Sequence, residues 1–278
     1  MATSKSKAPA KKTSKASKPR RWVVKAGSNM VCSGGPLLLL AWMRQVAQLK
    51  RHHNVEVIWV TSGAIASAVD HTGFKPRNGK KRTLPEKQAL SALGQPLVMD
   101  LYQIAMNASG LMGAQVLLTA GDIKDPDRRK NLQNTLNTLL EWKTVPVLNE
   151  NDAVSTDEIQ FGDNDSLSSK IALMMKAERL VLLTDVDGLY DMDPRKNPAA
   201  KLIPYRKSIT IKDLATAGRG GGTAKGTGGM YSKLLAARFA LKENITTHLV
   251  RGDYPQNLLL LAQGQDVGTR IGGPANAK

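Results

Sequence analysis

Six carboxylates, Glu150, Asp152, Asp157, Glu158, Asp163 and Asp165, fall within the stretch VLNENDAVSTDEIQFGDNDSLSSK from Val147 to Lys170, interleaved with Asn149, Asn151 and Asn164. The chain around them carries a formal net charge of +17. Such a cluster is either a solvated acidic loop or one wall of a polar site that handles cations, phosphate and an amino acid. The other candidate walls are turns at the ends of hydrophobic runs: Lys25-Ala26-Gly27-Ser28, Thr61-Ser62-Gly63-Ala64 and Thr184-Asp185. Glycine matters in such turns because a backbone N–H approaches phosphate only where no side chain intervenes. A helix that starts just after the turn adds a favourable dipole. No single turn is specific. The sequence has no GxxxxGK followed by Ser or Thr, and no GxGxxG with an acidic residue at dinucleotide spacing, so a nucleotide site here is of another type.

The elements that must carry these turns alternate between strand and helix. WVVKAG and VEVIWV read as short buried strands, and between them LLLLAWMRQVAQLKR places Leu39, Trp42, Met43, Val46 and Leu49 at helical spacing. A long helical stretch runs from about Pro85 to Ser109, followed by the strand AQVLLT. RRKNLQNTLNTLLEWK puts Leu132, Leu136, Leu139 and Leu140 on one face, and TVPVL is a strand leading straight into the acidic stretch. SLSSKIALMMKA, RLVLLTD, GMYSKLLAARFALKE and THLV continue the alternation. This order predicts an α/β fold, a mostly parallel sheet covered by helices on both faces. Ligands of open α/β sheets bind beyond the carboxyl ends of the strands, which is where the unusual residues stand. KPRNGKKR (Lys75 to Arg82) and AGRGGGTAKGTGG (Ala217 to Gly229) read as surface loops. The apolar segment from Ala89 to Met106, with Leu90, Leu93, Leu97 and Ile104, is either core or a pairing surface between subunits.

Composition narrows the classes. The 278 residues are 41% hydrophobic, enough for a sizeable core in one or two domains. The single cysteine, Cys32, excludes an internal disulfide and a cysteine-based zinc site and fits a reducing, cytoplasmic setting. The four histidines show no metal-ligand spacing, and no apolar run is long enough to span a bilayer. MATSKSKAPAKKTSKASKPRR contains eight Lys or Arg and no acid. It cannot bury enough apolar surface to offset its ordering entropy, so residues 1–20 are expected to be a disordered basic tail. That tail either solubilises the chain or makes weak, salt-dependent contact with nucleic acid.

Taken in order, VVKAGS, VTSGAIA, VPVLNENDAV, FGDND, LLTDVDGLYDMDPRKNP and GTGGMYSK resemble the glutamate 5-kinases of the amino acid kinase superfamily, over roughly Trp22 to Gly273. LLTDVDGLYDMDP is shared with uridylate kinases and other members, whereas NENDAV followed by GDND and TGGM is more specific to glutamate kinases. The resemblance implies a three-layer αβα sandwich, one catalytic domain over residues 21–273, and a short tail over 274–278. It also implies ATP-dependent phosphorylation of the γ-carboxylate of L-glutamate on the route to proline. Many relatives carry a further C-terminal domain of the RNA-binding PUA type, and the ending GTRIGGPANAK is expected to leave no room for one.

By the same resemblance, Lys25 and Lys233 stabilise the transferring phosphoryl group and Asp165 holds them in place. Ser62, Asp152 and Asn164 bind glutamate, with Gly63 and Ala64 presenting N–H groups to a carboxylate. Lys25, Gly27, Ser28, Thr184 and Asp185, with Thr227, Gly228, Gly229, Met230, Tyr231, Ser232 and Lys233, match the ATP-binding segments. Magnesium is expected to bridge phosphate oxygens with few protein ligands and is given no residue. The implied partners are L-glutamate, ATP, L-proline as feedback inhibitor, a second copy of the chain, and a glutamyl phosphate reductase that takes the product. Departures from the usual pattern are Ser67, where relatives often have Gly, Tyr231 in GGMYSK, and the basic loop RNGKKRTLP. The competing readings are an acetylglutamate or uridylate kinase, and a nucleic-acid-binding protein on a kinase scaffold.

Overall fold

The computed structural model describes residues 18–76, 79, 81–155, 163–218 and 229–274. Eight strands form one sheet in the order β3-β4-β2-β1-β5-β7-β8-β6. They are β1 (Arg20–Lys25), β2 (Val55–Val60), β3 (Met112–Leu118), β4 (Thr144–Glu150), β5 (Arg179–Thr184), β6 (Tyr205–Arg206), β7 (Thr246–Arg251) and β8 (Thr269–Ile271). Every pairing is parallel except β7 with β8. At the centre, Lys25 at the end of β1 sits in register with Val60 of β2 and Leu182 of β5. The chain leaves β1 toward β2 and returns to its other side with β5, so the order reverses there, the usual place for a ligand crevice in an open α/β sheet.

Strand periodicity sorts the core into two layers. Trp22, Val24, Val57 and Trp59 face one side, with α1 (Ser28–His52), α3 (Leu84–Ala108) and α9 (Asn257–Ala262). Val23, Ile58 and Val60 face the other, with α5 (Pro126–Glu141), α6 (Asn164–Met174) and α8 (Met230–Leu241). This is the expected three-layer sandwich. The alternation follows from the two-residue side-chain period of a strand whose two faces are both covered. Trp22, Trp42, Trp59 and Tyr102 are fully buried. Each large side chain removed from water contributes about 1.5–3 kcal/mol. The polar tips are partnered where the packing allows: the Trp42 indole donates to the Gly252 carbonyl at 2.7 Å, and Trp59 donates to the Tyr102 hydroxyl at 2.9 Å.

The first helix departs from the expected start at Leu37. It begins at Ser28, directly after Gly27, and is kinked at Gly35 (φ 61), with Pro36 next in sequence. Gly35 leaves helical φ/ψ altogether, so a short helical segment from Ser28 and the long segment from Pro36 meet at a kink, and the long segment starts beside the expected Leu37. Three short helices, α2 (Ala64–Thr72), α4 (Ala120–Lys124) and α7 (Ile211–Ala217), complete the described helices. Of the four apolar residues noted in α3, Leu90 is buried, Leu97 is half-buried, and Leu93 and Ile104 are exposed. That helix is therefore core on one side, and its exposed side carries Leu93 and Ile104 among polar residues such as Lys87, Asp100 and Asn107. Among the described residues no helix is long and apolar enough to cross a membrane.

Candidate active site

Four helices begin at the carboxyl edge of the sheet, each one residue after a cap that brings it off a strand or loop: α1 after Gly27, α2 after Gly63, α6 after Asp163 and α8 after Gly229. Gly63 has φ 101, a left-handed conformation that disfavours any side chain, and an added Cβ would lie 3.1 Å from the Cys32 sulfur. Asp163 caps α6 by accepting from the Ser166 N–H at 2.8 Å. The four N-termini converge on a cleft of about 1310 Å³. Lys25, Gly27, Ser28, Ser62, Gly63, Ala64, Asp152, Asn164, Thr184, Asp185, Gly229, Met230 and Lys233 all line it. Residues far apart in sequence thus meet at one surface.

Asp165 lies behind that surface, fully buried. One carboxylate oxygen is 2.6 Å from Lys25 Nζ, and the other accepts from Lys233 Nζ at 3.2 Å and Ser232 Oγ at 2.7 Å. Burial alone would push this carboxyl up. The two ammonium groups and the hydrogen bonds from Lys25 and Ser232 outweigh it and hold Asp165 well below the usual carboxylate range. Lys25 is pushed below the ordinary lysine value by burial and by the neighbouring Lys233, partly offset by Asp165. One anion therefore fixes two cations at the cleft floor, leaving the pair with net positive charge.

A second polar group sits beside it. Asn164 Nδ2 lies 2.8 Å from the Thr61 carbonyl, 2.7 Å from Ser62 Oγ and 2.8 Å from Asn149 Oδ1. Asp152 accepts from Ser91 Oγ at 3.4 Å. Burial raises the pKa of Asp152 above the usual carboxylate value, against the opposing influence of Ser91 and Lys87. Glu150 is buried and accepts from Ser155 Oγ at 3.4 Å. Asp185, also on the cleft lining, pairs with Arg195 at 2.6 Å.

Several residues fall where the sequence alone did not put them. Ser232 touches Asp165, and neither it nor Tyr231 is among the cleft-lining residues, although both stand in the first turn of α8. Pro76, Lys81 and Arg82 of the basic loop do line the cleft. Thr227, Gly228, Asp157 and Glu158, most of the glycine-rich loop, residues 1–17 of the basic tail and residues 275–278 lie outside the described residues. The feature missed from sequence is a polar stripe on α3. Gln88 donates to the Ser155 carbonyl, Ser91 to Asp152, and Gln95 to the Glu150 carbonyl. Their spacing of three and four residues was the available signal, but polar residues at that spacing also describe a solvated helix face.

Comparison with known proteins gives the same outline. The model of the amino acid kinase family matches residues 20–251. The chain is 45% identical over 253 residues to a glutamate 5-kinase of Thermus thermophilus, covering 90% of this chain and 66% of that protein. It is 42% identical to a glutamate 5-kinase of Methylobacillus flagellatus, covering 90% and 67%. It is 41% identical to one of Haemophilus influenzae, again covering 90% and 67%. The chain therefore spans about two thirds of the length of these curated relatives. Among solved structures, an isopentenyl phosphate kinase superposes with a TM-score of 0.61 at 19% identity, covering 91% of this chain and 100% of that one, a likeness of fold.

Proposed function

Because the chain belongs to the amino acid kinase family, we propose that it transfers the γ-phosphoryl group of ATP to the γ-carboxylate of L-glutamate. The products are L-glutamyl 5-phosphate and ADP, and the reaction is the first step of proline biosynthesis from glutamate. The observation that carries this reading is Asp165 held between Lys25 and Lys233 at the meeting point of four helix N-termini. Bringing a carboxylate to ATP sets two anions against each other, and fixed cations are what that encounter requires.

In this reading a glutamate carboxylate oxygen forms the new bond to the γ-phosphorus as the bond to the β-phosphate bridging oxygen breaks. No proton need move. Lys25 and Lys233 face the transferring group, and Asp165 keeps both in place. Ser62, the N–H groups of Gly63 and Ala64, and Asn164 take the amino acid, and Asp152 pairs with its ammonium group. A ligand-free Asp152 raised by burial fits that role, because an incoming cation favours its charged form. Gly27, Ser28, Thr184, Asp185, Gly229 and Met230 bound the nucleotide end, with Thr227 and Gly228 assigned there on the motif. Magnesium would supply charge neutralisation on the phosphates. Asp165 is engaged on both oxygens and Asp185 by Arg195, so the donor set fits an ion held mainly by phosphate and water.

L-Proline, with one carboxylate and one ammonium, fits part of the same pocket, so its inhibition should weaken as glutamate rises. The exposed Leu93 and Ile104 of α3 suit pairing with a second copy, and Ile104→Glu should then lower the mass seen by light scattering. An acyl phosphate product hydrolyses readily, which favours direct transfer to a glutamyl phosphate reductase. A cytoplasmic setting matches the substrates, and the basic tail contributes at most weak, salt-sensitive nucleic-acid contact. ADP release measured separately with L-glutamate, N-acetylglutamate and uridylate tests the reading. Turnover with glutamate alone is expected, and turnover with either other acceptor but not glutamate overturns it.

A further inference from the structure

We propose that Gln95 is a positioning residue that, through Asn149, holds Asn164 and Ser62 in the hydrogen-bond polarity that neighbouring backbone groups dictate, so that Ser62 offers a donor and Asn164 an acceptor to a zwitterionic amino acid. The inference rests on the reading of the cleft as an amino-acid site and adds the device that sets its specificity. Gln95 is buried on α3 and does not line the cleft.

The polarity is dictated by backbone groups, which cannot reverse roles. The Glu150 carbonyl only accepts, so the Gln95 atom 3.1 Å from it is the amide nitrogen. The other end of that amide is then an oxygen, and it accepts from Asn149 Nδ2 at 3.1 Å and from Gln115 Nε2 at 3.4 Å. Asn149 is held with its own oxygen away from Gln95 from both ends, by Gln95 on its nitrogen and by the backbone on its oxygen. That oxygen accepts the Glu150 N–H at 2.9 Å and Asn164 Nδ2 at 2.8 Å. The Thr61 carbonyl, also an obligate acceptor, fixes the same orientation of Asn164 from the other side.

Two consequences reach the cleft. An amide nitrogen has no lone pair to accept with and only two hydrogens for three neighbouring oxygens, so Ser62 Oγ, 2.7 Å from Asn164 Nδ2, is an acceptor that shares one of those hydrogens. The Ser62 hydroxyl hydrogen then remains to be donated, and a carboxylate is the ligand group that takes it. The Asn164 oxygen is buried and has no hydrogen-bond partner among the described residues. Buried polar atoms are rarely left so, and the ligand group that completes it is a donor such as an ammonium. One relay thus sets a donor and an acceptor side by side, the pattern of an α-amino acid.

The test compares wild type, Gln95→Met and Gln95→Glu by calorimetric binding of L-glutamate and by steady-state kinetics between about pH 5.5 and 7.5, where both carboxyl groups of glutamate are ionised and its amino group is mostly protonated. Gln95→Met, similar in shape but unable to anchor the Asn149 nitrogen, should weaken glutamate binding about tenfold, the order of one net hydrogen bond, with the KM for ATP within about twofold. In Gln95→Glu the neutral carboxyl can donate to the Glu150 carbonyl and accept from Asn149, but the ionised form cannot donate. The ratio of its KM for glutamate to that of wild type at the same pH should therefore approach one at the acid end and climb with pH, a comparison that cancels the titration of Asp152 and Lys25 common to both proteins. A merely structural role predicts no such pH-dependent rescue, and this second variant keeps the test open should Gln95→Met fail to fold. Normal glutamate affinity in both folded variants, or equal losses for glutamate and ATP, overturns the relay. Failure of wild type itself to bind glutamate overturns the amino-acid reading and the relay together.

Discussion

Lys25 and Lys233, 208 positions apart in sequence, share the single carboxylate of Asp165, one ammonium on each oxygen. Removing either partner of a buried charge pair leaves the other uncompensated. Here the two cations also differ from a structural salt bridge in that both line the cleft. Lys233→Met is expected to lower kcat far more than it raises the KM for glutamate. The loss should be about 2.7–4 kcal/mol in transition-state stabilisation, by analogy with loss of one fixed donor at a developing charge. Steady-state kinetics check it, and an unchanged kcat would remove Lys233 from the chemistry.

Asp152 sits where its effect should be separable from that of the lysines. It is held by Ser91 rather than by an ion pair, and burial already disfavours its charge. Asp152→Ala should act first on glutamate, weakening it by about 2–5 kcal/mol, the cost of truncating one side of a desolvated charge pair. Paired titrations of glutamate and ATP measure this. A loss confined to ATP would mean the two ends of the cleft are reversed.

Gly94 reports on how α3 supports the substrate side. A Cβ built there would fall 1.8 Å from the carbonyl oxygen of Ala64 and 2.5 Å from its carbon, both backbone atoms of the first turn of α2. Backbone cannot step aside as a flexible side chain can. Gly94→Ala should therefore destabilise the fold by about 1–3 kcal/mol, as overpacking does, and raise the KM for glutamate by displacing the Gly63-Ala64 turn. Denaturant melts with kinetics test it, and wild-type values for both would show that the helices can separate without consequence.

His248 on β7 gives a pH prediction for stability. Burial, aided by the neighbouring Arg179 and Arg270, pushes its pKa from the ordinary 6.5 down to about 3. The folded state keeps the imidazole neutral while the unfolded state binds a proton below pH 6.5. This contribution to stability is intact above that value and is lost progressively as pH falls toward 3. Between pH 7 and pH 5 the loss from this group should be roughly 2 kcal/mol. Urea unfolding at the two pH values measures it, and a His248→Gln variant should show a correspondingly smaller difference.

Much of this arrangement was legible in the sequence, for identifiable reasons. Turns mark the ends of the hydrophobic runs, so the sequence places Lys25, Ser62 and Thr184 at one edge of the sheet. Asp165 and Lys233 came from motif resemblance, and the structure brings them together. What could not be read was tertiary. Nothing local in LPEKQALSALGQ says that Gln88, Ser91 and Gln95 face the acidic stretch, because a polar helical stripe looks the same whether it meets water or a loop. The strands β6 and β8, two and three residues long, carry too little alternation to register. The short helical segment of α1 ahead of the Gly35 kink was hidden because Gly and Pro ordinarily mark an interruption, as Gly35 does here.

The most direct test of the central claim is chemical identification of the product. An acyl phosphate reacts with hydroxylamine to give a hydroxamate, which neither a phosphate monoester nor ADP does. The purified chain, incubated with ATP, magnesium, L-glutamate and hydroxylamine, should yield glutamyl hydroxamate in step with ADP. Product should be absent without glutamate and nearly absent with Lys233→Met. ADP released without hydroxamate, or hydroxamate formed equally well by Lys233→Met, would contradict phosphoryl transfer to the glutamate carboxylate at this site.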